Sequence, residues 1–149
     1  MSTIFLAIHS KQERGTLECA VEAAGKVFPW YAYHGGYITS TRFREPLCLA
    51  MTLSSDCVVS IHGRKDSGDP EAVWVGGLDQ EAKERIVGSL RSSGFKAIEV
   101  PRLKGISRHN ICNLSKKGKG VQLEIPFSLR VRLLKDPLLL AWFSKALRS

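Results

Sequence analysis

Apolar and polar positions along the chain alternate in blocks that predict strands separated by helices. Stretches typical of strands occur at 4–8, 29–33, 37–40, 57–61, 72–77, 95–100 and 120–125. Segments with apolar residues at helical spacing occur at 16–26, 45–53, 79–93 and 138–147. Because strands and helices alternate, the sequence predicts an α/β fold: one domain over residues 1–149, with a mixed, mostly parallel sheet flanked by helices.

Two of the predicted strands end in a histidine. His9 follows the run at 4–8, Glu13 comes four residues later, and His62 follows the run at 57–61. In open α/β folds the carboxyl ends of the strands form the ligand crevice. Two histidines and one carboxylate are a typical protein ligand set of a catalytic zinc ion, with the fourth position left for water. The alternative is a surface pair of His9 with Glu13 and a strand-end His62 that is hydrogen-bonded to a loop.

The strand predicted at 120–125 carries a second carboxylate, Glu124. Gln122 and Glu124 alternate with three apolar residues, so both polar side chains should project from the same face of the strand. A carboxylate beside an activated water suits a general base. Taken alone, Glu124 is more typical of a strand residue that faces solvent, and its place beside Gln122 and the histidine pattern is what favours a catalytic role.

Composition and cysteine spacing narrow the class of protein. With 149 residues, 44% of them hydrophobic and 24% charged, the chain suits a soluble globular domain. The first apolar stretch lacks a basic segment before it and stops at His9, so we expect no secretory signal and a cytoplasmic location. The four cysteines form no CxxC pair, which excludes a zinc ribbon and predicts free buried thiols.

A formal net charge of +8 predicts attraction to a polyanion: nucleic acid, an anionic membrane or an acidic polymer. The basic residues are scattered among apolar ones, and no helix-turn-helix, zinc-finger or RNP motif is present, which argues against nucleic acid. No apolar run approaches the roughly 20 residues that cross a bilayer, so we expect no membrane association.

Six short motifs follow one another over about residues 7–130. They are Ala7-Ile8-His9 with Glu13-Arg14-Gly15-Thr16, Ile38-Thr39-Ser40-Thr41-Arg42-Phe43, Val59-Ser60-Ile61-His62-Gly63, Val75-Gly76-Gly77-Leu78-Asp79, Asn110-Ile111-Cys112-Asn113, and Gly120-Val121-Gln122-Leu123-Glu124 extended to Arg130. Together they resemble the poly-γ-glutamate hydrolase family, once described as phage-related replication proteins. The resemblance implies a zinc carboxypeptidase-like α/β fold.

The resemblance also implies roles for individual residues. It implies Zn²⁺ ligands at His9, Glu13 and His62, and a catalytic carboxylate at Glu124. An arginine nearby would stabilise the oxyanion or bind a substrate carboxylate through a bidentate pair. Arg130 is the first candidate for that role. Residues expected to bind substrate are Arg42, Tyr37 and His34.

The leading hypothesis is a monomeric zinc-dependent hydrolase that cleaves the γ-glutamyl amide bonds of poly-γ-glutamate, released on host lysis if the protein is phage-derived. One alternative is a zinc amidase that acts on another acidic peptide or on an N-acyl amino acid. A second is a basic nucleic-acid-binding protein without enzymatic activity. A third is a degenerate family member that keeps the fold and has lost the metal.

Overall fold

The computed structural model describes residues 2–102 and 104–148, apart from the side chain of Lys104, and these residues form six strands and five α-helices. The strands are β1 (Thr3–Ala7), β2 (Trp30–Ala32), β3 (Cys57–Arg64), β4 (Val73–Gly76), β5 (Ala97–Glu99) and β6 (Val121–Pro126). The α-helices are α1 (Thr16–Ala24), α2 (Pro46–Leu53), α3 (Gln80–Ser92), α4 (Phe127–Lys135) and α5 (Pro137–Leu147). Short 3-10 helices occur at Lys104–Ile106 and Ile111–Asn113.

The six strands form a single mixed sheet in the order β2-β1-β3-β6-β4-β5. β1 runs parallel to β2 and β3, and β3 runs parallel to β6. β4 pairs antiparallel with β6 and parallel with β5. The predicted α/β fold with a mixed, mostly parallel sheet flanked by helices is therefore confirmed.

Both faces of the sheet are covered by apolar side chains. Along β1, Phe5 and Ala7 belong to one buried cluster, which also contains residues of α1, α3, α4 and α5. Ile4 and Leu6 belong to a second cluster on the opposite face, together with residues near α2 and the second 3-10 helix. Burial on both faces explains why the central strands read as continuous apolar runs in the sequence.

Side-chain caps fix the beginning of three helices. The Glu45 carboxylate accepts hydrogen bonds from the backbone N–H groups of residues 47 and 48 before α2, which has Pro46 in its first turn. Asp79 accepts from the N–H of Ala82 at α3, and Asp136 caps α5 in the same way. These carboxylates satisfy backbone donors that a helix leaves without a partner.

Helix α4 was not predicted. Its segment alternates Leu129, Val131 and Leu133 with two arginines, a period of two residues that resembles a strand more than a helix. Leu129 and Leu133 both pack into the larger core cluster, and tertiary packing therefore overrides the local pattern. The stretch at 37–40, expected to be a strand, is a loop. It contacts His9, directly after β1, through Tyr37 and Ile38.

The four cysteines are free and buried, as predicted. Within the described ranges, no helix combines the length and apolarity that crossing a membrane requires.

Candidate metal centre

The segment after β1 and the last residues of β3 bring together three side chains that could hold a metal ion, His9, Glu13 and His62. After β1 the chain turns tightly, because the carbonyl of His9 accepts hydrogen bonds from the N–H groups of Gln12 and Glu13. This turn brings the carboxylate of Glu13 back toward His9. Glu13 Oε1 also accepts a hydrogen bond of 3.1 Å from the N–H of Gly63, immediately after His62.

The donor atoms of the three side chains form a nearly equilateral triangle. Nδ1 of His9 lies 3.2 Å from Nδ1 of His62, and Glu13 Oε1 lies 3.5 Å and 3.3 Å from these two atoms. Zinc–nitrogen and zinc–oxygen bonds of about 2.0–2.1 Å in a tetrahedron separate neighbouring ligands by about 3.3 Å. The triangle therefore matches one face of a tetrahedral zinc site in donor type and in size.

The outer nitrogens of both histidines also have partners. His9 Nε2 lies 2.6 Å from the carbonyl oxygen of Ile38, and His62 Nε2 lies 3.1 Å from Ser60 Oγ. Since a carbonyl only accepts, His9 Nε2 is the donor, and Nδ1 faces Glu13. In the neutral ring Nδ1 has a free lone pair that can bind a cation, whereas in the protonated ring it donates to Glu13 Oε1. Histidines that bind metals are usually oriented by such a bond from the second ring nitrogen.

Electrostatics keep Glu13 in the form that binds a cation. Burial alone would raise the pKa of the Glu13 carboxyl, but hydrogen bonds from His62, His9 and the Gly63 N–H lower its pKa to about 2. Burial alone would lower the pKa of His9, but hydrogen bonds with Glu13 and the Ile38 carbonyl raise it. Glu13 is therefore an anion at neutral pH.

A cavity of about 310 Å³ opens beside the triangle. The third strand at this edge, β6, contributes Glu124, which lies opposite His62 in the β3–β6 register. Burial raises the pKa of the Glu124 carboxyl above its usual value, and the negative charge of Glu13 adds to this effect while the influence of His62 opposes it. The cavity wall includes His9, Glu13, Tyr37, His62, Gln122 and Glu124, together with Arg102.

Two buried amides connect Glu124 to the loop before the second 3-10 helix. Asn110 Nδ2 donates to Gln122 Oε1 at 2.9 Å, and Gln122 Nε2 approaches Glu124 Oε1 at 3.5 Å. The alternation along β6 correctly predicted that Gln122 and Glu124 share a face. The link to Asn110 was missed, because this residue lies in an aperiodic segment whose only signal was its place in a motif.

The three residues predicted to bind substrate occupy different positions. The ring of Tyr37 stacks on His9 with centroids 4.3 Å apart and forms part of the cavity wall. Arg42 is exposed beside Thr41, which does line the cavity. His34 is also exposed, and its Nδ1 lies 3.2 Å from Ser10 Oγ. Of the three, the cavity wall includes Tyr37 alone.

Arg130 was expected to face the substrate, but the structure places it behind the cavity wall. Its side chain is only 6% exposed, and its guanidinium donates to the backbone carbonyls of Ile125, Arg14 and Arg64. Arg130 is not part of the cavity wall. Three of its five N–H donors are therefore directed at backbone carbonyls, and its burial keeps the guanidinium away from the space where an oxyanion or a substrate carboxylate would lie. Arg102, which was not predicted, is the arginine in the wall.

Comparison with known proteins gives consistent matches over most of the chain. The family model described as poly-gamma-glutamate hydrolase matches residues 1–140. The UPF0714 protein YndL of Bacillus subtilis (strain 168) is 34% identical over 143 residues, which cover 87% of this chain and 55% of YndL. The chain spans about half the length of the curated relatives it matches.

Solved structures share the fold, and two of them are also similar in sequence. The structure of a bacteriophage poly-gamma-glutamate hydrolase superposes with a TM-score of 0.90 at 28% identity, covering 99% of this chain and 81% of that one. A zinc-free apo structure of YndL superposes with a TM-score of 0.85 at 31% identity, covering 98% of this chain and 82% of the other.

Proposed function

The chain belongs to the poly-gamma-glutamate hydrolase family, and from this premise we propose that it is a zinc-dependent hydrolase of the γ-glutamyl amide bonds in poly-γ-glutamate. The observation that carries the proposal is the triangle of donor atoms from His9, Glu13 and His62, with Glu124 in the same cavity. Membership of the family supports hydrolysis as the reaction. The three donor side chains support a bound metal ion as the cofactor.

His9 Nδ1, His62 Nδ1 and Glu13 Oε1 would hold the ion. When bound, zinc acts as a Lewis acid that lowers the pKa of a coordinated water to about 7 and polarises a carbonyl. Ile38 and Ser60 fix the two imidazole rings, so that the nitrogens facing the ion keep their orientation.

Glu124 is the proposed proton carrier. Its carboxylate takes a proton from the attacking water and returns it to the nitrogen of the leaving amine as the amide C–N bond breaks. The products are a carboxylate and an amine, so that one water is added across the bond. The raised pKa of Glu124 supports this exchange, because a carboxylate with a raised pKa accepts a proton more readily. Gln122 and Asn110 orient the carboxylate.

Arg102 and Tyr37 are the proposed substrate contacts. Every unit of a γ-linked glutamate chain carries a free α-carboxylate beside the amide. A guanidinium in the cavity wall provides the charge and the donors to bind such a carboxylate. The net charge of +8 would also attract the polymer before it binds.

The test begins with protein stripped of metal by a chelator. We expect the stripped protein to leave poly-γ-glutamate intact and to regain cleavage when one equivalent of zinc is added, measured by size-exclusion chromatography of the polymer. His62→Ala should bind less than one zinc per chain by elemental analysis and should remain inactive after zinc addition. Full cleavage by the stripped protein would refute zinc dependence.

Substrate class is tested with a panel of polymers. Poly-α-glutamate and a short acidic peptide are the matched comparisons, because they carry similar charge with a different amide linkage. Preferential cleavage of the γ-linked polymer supports the proposal. Equal cleavage of all three would instead indicate a general amidase of acidic peptides. Binding of duplex DNA without any cleavage would favour the nucleic-acid alternative.

A further inference from the structure

The three hydrogen bonds of Arg130 share one property. Nε donates to the carbonyl of Ile125 at 3.0 Å, Nη1 donates to that of Arg14 at 2.7 Å, and Nη2 donates to that of Arg64 at 3.2 Å. Ile125 and Arg14 directly follow Glu124 and Glu13 in the sequence, and Arg64 lies two residues after His62. One side chain thus binds the backbone just beyond three residues of the site, on three separate segments.

A glycine gives the guanidinium the space for these bonds. A Cβ atom added to Gly63 would lie 2.4 Å from Arg130 Cζ and 2.7 Å from its Nε, far inside contact distance. Gly63 also donates its N–H to Glu13 Oε1. The absence of a side chain at this position therefore lets Arg130 pack directly beneath the residue that links His62 to Glu13.

We propose that Arg130 is a positioning residue that sets the mutual placement of Glu13, His62 and Glu124 without contacting metal or substrate. The guanidinium is a rigid planar fork, so three bonds to three segments constrain distance and direction together. Ligand sets tolerate errors of only about 0.5 Å. The part of this inference that concerns zinc affinity rests on the proposed function, whereas the geometric part does not.

Measuring stability and side-chain placement separately distinguishes a positioning role of Arg130 from simple stabilisation of the fold. Arg130→Met removes all donors at similar length, and Arg130→Lys keeps the charge but loses the planar fork. Leu133→Ala is the matched control, because Leu133 lies one turn later on α4, is 1% exposed and packs into the core away from the cavity. All three variants are studied well below their melting temperatures.

Two readouts are independent of catalysis. The first is zinc affinity by competition with a chromophoric chelator. We expect Arg130→Met to weaken binding by about 10-fold to 100-fold, the usual cost of losing support around a metal site, and Arg130→Lys to fall between it and the wild type. Leu133→Ala should lower Tm and keep the zinc affinity within about twofold. The second is the imidazole ¹⁵N spectrum of the metal-free protein, in which the signals of His9 and His62 should shift in Arg130→Met and not in Leu133→Ala.

The inference is overturned if either folded Arg130 variant keeps the zinc affinity and the imidazole signals of the wild type. It is also overturned if Leu133→Ala changes both as strongly, since loss of stability would then explain the effect. If Arg130→Met does not fold, Arg130→Lys decides. If the wild type itself binds no zinc, the proposed function fails, and the imidazole spectra still decide the positioning role.

Discussion

The two faces of β6 differ in composition and in what they contact. Val121, Leu123 and Ile125 project into the larger apolar cluster and are fully buried. Gln122 and Glu124 project to the other side, into the wall of the cavity. Adjacent residues of one strand thus belong either to the core or to the site. We expect substitutions on the two faces to separate stability from activity, and the predictions below test that separation.

The largest effect is expected on the polar face. Glu124→Gln keeps the size of the side chain but cannot accept a proton, so kcat should fall by about 10²-fold to 10⁴-fold, the usual contribution of general acid–base catalysis. KM should change much less, because the lost interaction belongs to the transition state. Steady-state kinetics with elemental analysis check this, and loss of zinc in the variant would make Glu124 a ligand instead.

The matched substitution on the apolar face is Leu123→Ala. It removes a fully buried side chain from the core, which should lower the free energy of unfolding by about 2–5 kcal/mol. Below the melting temperature the zinc content and kcat should stay close to those of the wild type. Chemical denaturation and kinetics on the same sample measure both quantities. A large fall in kcat of the folded variant would show that the two faces are not independent.

A smaller effect is expected at the rim of the cavity. Arg102→Gln removes the positive charge of the wall, so KM for poly-γ-glutamate should rise by about tenfold, close to the worth of one charge-assisted hydrogen bond. Tm should not change, since Arg102 is exposed. Arg42→Gln is the matched control, because Arg42 is exposed near the cavity but is not part of its wall. Equal KM values for the two variants would contradict a specific role of Arg102.

The smallest effect concerns the charge of the whole molecule. Raising the salt concentration from about 0.05 to 0.5 M shortens the screening length, so KM for the polymer should rise a few-fold while kcat stays nearly constant. A short neutral amide substrate, measured under the same conditions, serves as the control. A salt-independent KM for the polymer would show that the net charge of +8 does not contribute to binding it.

Much of the fold and of the candidate site was predictable from the sequence, because these features depend on the local periodicity of apolar and polar residues. The position of His9 just after β1 follows from an apolar run that stops at a polar residue. The same pattern brings His62 to the correct edge of the sheet, although β3 continues beyond the predicted end to Arg64. The shared face of Gln122 and Glu124 follows from the period of a strand. Caps such as Asp79 and Asp136 precede their helices directly in the sequence, and the structure has both.

The remainder depends on contacts between distant segments, which periodicity does not encode. Arg130 was expected to contact an oxyanion or a substrate carboxylate, but it lies outside the cavity wall and binds the carbonyls of Arg14 and Arg64. This position could not be predicted, because both partners are far away in the sequence and α4 was not predicted. Arg102 lines the cavity because of how the chain runs near it. Close by in the sequence, Gly105 packs tightly against Gly77 and Gln122. A Cβ at Gly105 would lie 2.9 Å from the nitrogen of Gly77, a restraint that no local pattern shows.

The position of β6 within the sheet has a consequence for the order of folding. β6 pairs with β3 on one side and β4 on the other, and it is synthesised after the other five described strands. Until it inserts, β2-β1-β3 and β4-β5 are two separate pieces, and closing such long-range pairs is typically slow. His9, Glu13 and His62 all precede β6, whereas Glu124 lies on it. A chain that has folded only its first half would therefore carry the three proposed metal ligands without the proposed proton carrier, and the proposed hydrolysis would begin only after β6 has joined the sheet.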